Sequence, residues 1–119
     1  MEISVKRVLN IFANLFSNLR EVDGDMPTAT AQVLITIAQN PGILQGEVAK
    51  KTGIGTSAVN RHVANLCAYS SFRKRDGYGL VAATVDHNDH RAKQLNLTRE
   101  GHMFVDKLVN LIHPIDLKK

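Results

Sequence analysis

One spacing inside residues 44–63 constrains this chain more than any other feature. The run is Leu44-Gln45-Gly46-Glu47-Val48-Ala49-Lys50-Lys51-Thr52-Gly53-Ile54-Gly55-Thr56-Ser57-Ala58-Val59-Asn60-Arg61-His62-Val63. A small residue, Ala49, is followed four positions on by Gly53 and six beyond that by the β-branched Val59. Such a pattern suits two short helices joined by a sharp turn. The alanine lets them approach closely. The glycine takes a left-handed backbone that a side chain resists. The valine plugs the space between them. The spacing predicts helices over about 44–51 and 56–68, a helix-turn-helix. Its second member turns Thr56, Ser57, Asn60 and Arg61 outward, where a DNA major groove would accept them.

Composition narrows the setting. A length of 119 residues matches one domain with a modest core. The hydrophobic share of 44% argues against disorder. Cys67 is the single cysteine, which excludes an intrachain disulfide and suits a reducing cytoplasm. No apolar run reaches the length of a membrane span, no secretory signal is visible, and no Cys/His cluster has zinc-ligand spacing. No cofactor is called for. Charge is uneven: residues 1–49 carry a net −2, residues 50–93 a net +5 and residues 94–119 a net +1. The positive segment holds the second helix of the helix-turn-helix and the stretch that follows it, which suits a polyanion. A generic basic surface is the plain alternative.

The rest of the chain reads as mainly α with a small β-hairpin, about five helices in a single domain spanning 1–119. Apolar periodicity predicts a broad-striped helix over about 3–19 through Val5, Val8, Leu9, Phe12, Leu15, Phe16 and Leu19. A stripe this wide must cover the core, a partner subunit, or both. Arg20 to Pro27 reads as a linker, and Thr28 as the cap of a helix over about 28–39 that Asn40-Pro41-Gly42 ends. Residues 69–79 read as a loop with one short extended piece. Leu80 to Asp86 and Arg91 to Leu97 read as strands around the turn His87-Asn88-Asp89-His90, so that 80–97 forms a wing. Thr98 caps a helix over about 99–112 that Pro114 closes.

Three motifs in order carry a resemblance: Gly53 to Leu66, Asp86-His87-Asn88-Asp89-His90-Arg91, and Leu97-Thr98-Arg99-Glu100-Gly101. Together they resemble the MarR family of winged helix-turn-helix transcription regulators, over about residues 26–105. The resemblance implies a homodimer on a pseudo-palindromic duplex, recognition helices in successive major grooves and wings in flanking minor grooves. Residues 3–19 and 99–117 would then dimerise. Two departures stand out. His62 occupies a position where an apolar residue is expected, so it is either a hydrogen-bonded half-buried histidine or a sign that the helix is rotated. The chain also carries little after the post-wing helix, where the family often has a further long helix.

Asparagine can pair bidentately with adenine and arginine with guanine, so Asn60 and Arg61 are candidates for base reading, against a plain solvated face. Thr56 and Ser57 suit capping as well as DNA contact. Asn65, one turn later, suits the phosphate backbone, as does Lys93. Arg73, Lys74 and Arg75 form a basic run that would follow the backbone or simply be solvated. The family likeness makes Arg91 the minor-groove residue, where narrow-groove potential attracts guanidinium, with Asp89 positioning it by a salt bridge. Ser57 and Cys67 lack a base at a recognisable spacing and no phosphate-binding glycine loop exists, so an enzyme is not expected. Cys67 suits packing as a small hydrophobe, and nothing identifies an effector. The resulting expectation is a cytoplasmic, sequence-specific double-stranded DNA-binding transcription regulator, a dimeric repressor. The alternative is a phage- or plasmid-type accessory winged-helix protein acting in replication or by binding a protein partner.

Overall fold

The core forms where three helices and a small sheet converge on a set of branched aliphatic side chains. The computed structural model describes residues 4–70, 75–85 and 92–112. Helix α1 spans Val5–Val22, α2 Thr28–Gln39, α3 Gln45–Thr52, α4 Thr56–Leu66 and α5 Arg99–Val109, followed by a 3₁₀ turn at Asn110–Ile112. Val33, Leu34 and Ile37 of α2 meet Val48 of α3 and Val59, Val63 and Leu66 of α4, all buried. Ile43, Leu80, Val81 and Leu95 close the core from the strand side. Val59 sits in this core with Ala49 packed against it, as the Ala49–Gly53–Val59 spacing of a helix-turn-helix predicts.

Strands β1 (Ile43–Leu44), β4 (Val81–Val85) and β5 (Lys93–Leu97) form an antiparallel sheet in the order β1-β5-β4. Ile43 faces Leu95, and the β4–β5 ladder runs from Val81 opposite Leu97 to Val85 opposite Lys93. The hairpin therefore stands where the wing is expected. Strands β2 (Tyr69–Ser70) and β3 (Arg75–Asp76) pair separately. Residues 69–79 thus hold a short ladder where the sequence suggests a loop with one extended piece.

Several boundaries differ from the sequence expectation, each for a local reason. Helix α1 starts at Val5 because Ser4 caps it, its hydroxyl accepting from Arg7 N–H at 3.1 Å. It continues three residues past Leu19 because Asn18 and Leu19 are buried and Val22 packs on the core. Tyr78 Oη donates to the Asp23 carboxylate and ties the following linker to the body. Thr28 does not cap α2. Pro27 holds the N-cap position with φ −62° and ψ 143°, and no side chain caps the helix. Helix α4 stops at Leu66, not near 68. The carbonyls of Asn65, Leu66 and Cys67 accept from Tyr78, Leu80 and Gly79 N–H at 2.8, 2.8 and 3.1 Å, which draws the chain out of the helix.

The Leu97-Thr98-Arg99-Glu100-Gly101 motif is explained by the joint between wing and α5. Thr98 Oγ1 accepts from Gly101 N–H at 3.0 Å, capping α5 as expected, and donates to Gly79 O at 2.6 Å. Thr98 N–H donates to Leu80 O at 3.0 Å. A Cβ on Gly101 would lie 2.0 Å from that same Leu80 oxygen, so only glycine lets α5 sit this close to the wing's root.

Candidate nucleic-acid interface

The turn between α3 and α4 is built from backbone conformation and one hydroxyl. Gly53 adopts φ 74°, in the left-handed region, and its N–H donates to Ala49 O at 2.9 Å. Thr52 Oγ1 donates to Val48 O at 2.7 Å and accepts from Ile54 N–H at 3.2 Å. Glu47 accepts from Leu44 N–H at 3.3 Å, closing the start of α3. Gly55 is the N-cap of α4, and no side chain caps that helix. Thr56 and Ser57 are therefore the first helical residues rather than caps, and both side chains are exposed.

Periodicity divides α4 cleanly. Val59, Val63 and Leu66 face the core, while Thr56, Ser57, Asn60 and Arg61 are exposed on the outer side. Asn65 is half-buried, and its carbonyl is engaged with Tyr78 N–H. It belongs to the joint behind the helix more than to the outer face. Lys93, exposed at the start of β5, joins Thr56 and Asn60 around a concavity of about 290 Å³ that Gln45 and Gly46 complete. Gln45 is the residue that sequence reasoning missed: its Nε2 donates to Asn60 Oδ1 at 3.1 Å. The clue was a polar side chain at the first position of α3, whose partner across the turn depends on how the helices cross.

Of the remaining sequence candidates, Arg73, Lys74, Asp89 and Arg91 lie outside the described residues. Arg75 is placed only by its backbone in β3.

His62 resolves as the hydrogen-bonded alternative. It is half-buried between α4 and α2, with Nδ1 2.8 Å from Oγ1 of the fully buried Thr30. The helix is not rotated; a polar pair replaces an apolar contact. Burial, aided by the neighbouring Arg61 charge, lowers the pKa of His62. Cys67 is half-buried under the wing, where burial pushes its thiol pKa up against smaller opposing effects of Lys93 and Ala83. That suits a packed thiol rather than a reactive thiolate.

Among the described residues no group of three or more His, Cys, Asp or Glu side chains could hold a metal ion, and no helix is long and apolar enough to cross a membrane. A separate, mainly apolar cleft of about 980 Å³ lies between α1 and α2, with Phe16, Leu19, Arg20, Ala31 and Ile35 in its wall.

A glycine-bent helix pair with a polar outer face, backed by an antiparallel hairpin and a closing helix, defines a winged helix-turn-helix. Residues 24–68, from the linker before α2 through the end of α4, match the model of the MarR family. Over that segment the chain is similar to the MarR family, and its fold is the winged helix of the MarR-type structures it superposes on. It superposes on the transcriptional repressor CouR bound to a 23-mer DNA duplex with a TM-score of 0.63 and 24% identity, over 92% of this chain and 69% of that one. For the YusO protein of Bacillus subtilis the TM-score is 0.64 at 22% identity, over 91% and 69% of the two chains. For wild-type apo MarR of E. coli it is 0.60 at 20% identity, over 97% and 81%. No curated protein sequence matches significantly.

Proposed function

We propose that this chain is a sequence-specific double-stranded DNA-binding transcription regulator that works as a homodimer and represses by occluding a promoter. One observation carries the reading. The outer face of α4 gathers Thr56, Ser57, Asn60 and Arg61 in solvent while its inner face is locked by Val59, Val63 and Leu66. A rigid helix with a hydrogen-bonding outer face is what direct readout in a major groove needs. The net +5 on residues 50–93 supplies phosphate attraction to the same region. In this reading Lys93 and the Arg73–Arg75 run hold the backbone, and Asn65 has a lesser part. Arg91 enters the minor groove with Asp89 orienting it. CouR, which shares the fold, is a repressor seen on duplex DNA.

Dimerisation is argued from helix α1. Val5, Leu9, Phe12 and Phe16 recur at spacings of four, three and four and are 76, 59, 51 and 53% exposed. Beside them lies an almost wholly apolar groove of about 430 Å³ bordered by Ile11, Leu15, Val105, Leu108 and Ile112. A solvent-facing apolar seam of this kind suits burial against a second copy.

Selection of bound sequences from a random duplex pool tests the whole reading. A palindromic motif with half-sites about one helical turn apart supports it. Affinity should also fall by orders of magnitude between about 50 and 200 mM salt. Enrichment of no sequence, with salt-insensitive association, would move the protein to the protein-binding alternative.

A further inference from the structure

We infer that Gln45 determines which base Asn60 reads, by fixing the direction of its amide. The inference rests on the DNA-binding reading above and deepens it. Gln45 opens α3, is half-buried, and donates from Nε2 to Asn60 Oδ1 at 3.1 Å. Its own Oε1 is out of solvent and meets no donor among the described residues. Turning both amides over would place an N–H group where that oxygen sits. A buried N–H without an acceptor is less tolerable than an underused carbonyl. The pair therefore has a preferred direction: the Asn60 carbonyl is held toward α3, and its NH₂ group is the end presented outward.

This changes the code expected from residue type alone. A bidentate contact to adenine needs both ends of the asparagine amide, with Oδ1 accepting from N6–H and Nδ2 donating to N7. With Oδ1 held by Gln45, Asn60 offers a donor. Thr56, beside the same concavity, adds a hydroxyl that can donate, and Lys93, which holds the backbone in the reading above, brings no acceptor to it. A donor-rich surface matches an edge made of acceptors. Guanine, with O6 and N7 side by side, fits best, and thymine O4 is next. Adenine N6 and cytosine N4 would each present a donor to a donor. Gln45 is thus a positioning residue: it selects the base through Asn60 without needing to touch DNA itself.

The test compares sequences selected from a random duplex pool by the wild-type chain, Gln45→Ala and Gln45→Glu, with Asn60→Ala marking the position that Asn60 reads. Wild type should favour guanine there over adenine by roughly ten-fold or more. The carboxylate of Gln45→Glu can only accept, so it draws Nδ2 inward and turns Oδ1 outward. Preference should then move to adenine or cytosine at that one position, with the rest of the motif unchanged. Gln45→Ala should release the amide and admit adenine. Neither a merely structural role nor a general loss of affinity would shift one base in this way. An adenine at that position in the wild-type motif, or the same base preference in all three proteins, overturns the inference while leaving DNA binding intact. So does an Asn60→Ala motif identical to wild type. If the wild-type chain enriches no sequence at all, the DNA-binding reading falls and takes the inference with it.

Discussion

Gly101→Ala sets two physical rules against each other. Alanine is the better helix former, so in an unconstrained helix the change would stabilise by about 1 kcal/mol. Here Gly101 is buried in the first turn of α5, and the added Cβ would stand 2.0 Å from Leu80 O, 3.0 Å from Leu80 C and 3.2 Å from Leu97 Cβ. The nearest obstacle is backbone and cannot swing aside. The strand root must retreat by more than about 1 Å to restore ordinary contact. Leu80 O accepts from Thr98 N–H at 3.0 Å, and Thr98 Oγ1 donates to Gly79 O at 2.6 Å, so both bonds lengthen. Overpacking costs about 1–3 kcal/mol and each weakened bond about 1 kcal/mol, against the propensity gain. The net expectation is a loss of about 2–4 kcal/mol. Urea denaturation at one fixed protein concentration reads it as a lower midpoint with an unchanged slope. A midpoint equal to or above wild type would refute the close approach of α5 to the wing root.

Three further outcomes are expected. Asn60→Ala and Arg61→Ala should each cost about 1–3 kcal/mol at the selected site and much less on random duplex; equal losses on both would make them backbone contacts. Phe12→Glu should give a folded monomer by analytical sedimentation, because the side chain is half exposed in the single chain; a dimer of unchanged affinity would move the interface elsewhere. Burial lowers the pKa of His62, so the unfolded chain binds more protons than the folded one below about 6.5. His62 therefore favours folding fully above that pH and less as pH falls through it. His62→Gln, which can keep the bond to Thr30, should flatten the stability profile between pH 7.5 and 5, whereas parallel profiles would show that His62 does not carry the effect.

Much of the frame could be read from the chain because its determinants are local. Gly53 must be left-handed for the turn, and Val59, Val63 and Leu66 must share a face for α4 to pack. Thr98 is a cap by type and position. What escaped reading depends on distant partners. Strand β1 is two residues long and exists because Ile43 and Leu44 pair with Leu95 and Gln94. The end of α4 is set by N–H groups from Tyr78, Gly79 and Leu80. His62 looked out of place until Thr30, thirty-two residues earlier, supplied its hydrogen bond. The site divides in the same way. The outward set Thr56, Ser57, Asn60 and Arg61 follows from helical period, but the Gln45–Asn60 bond depends on the crossing of two helices. Taken alone, Asn60 suggests adenine; taken with Gln45, it suggests guanine.

Methylation interference on a selected duplex asks most directly whether α4 enters the major groove of both half-sites. Methyl groups at guanine N7 should block binding in two clusters about one helical turn apart on one face of the DNA. Undiminished binding to duplex methylated at every guanine N7 would contradict it, and the outer face of α4 would need another partner.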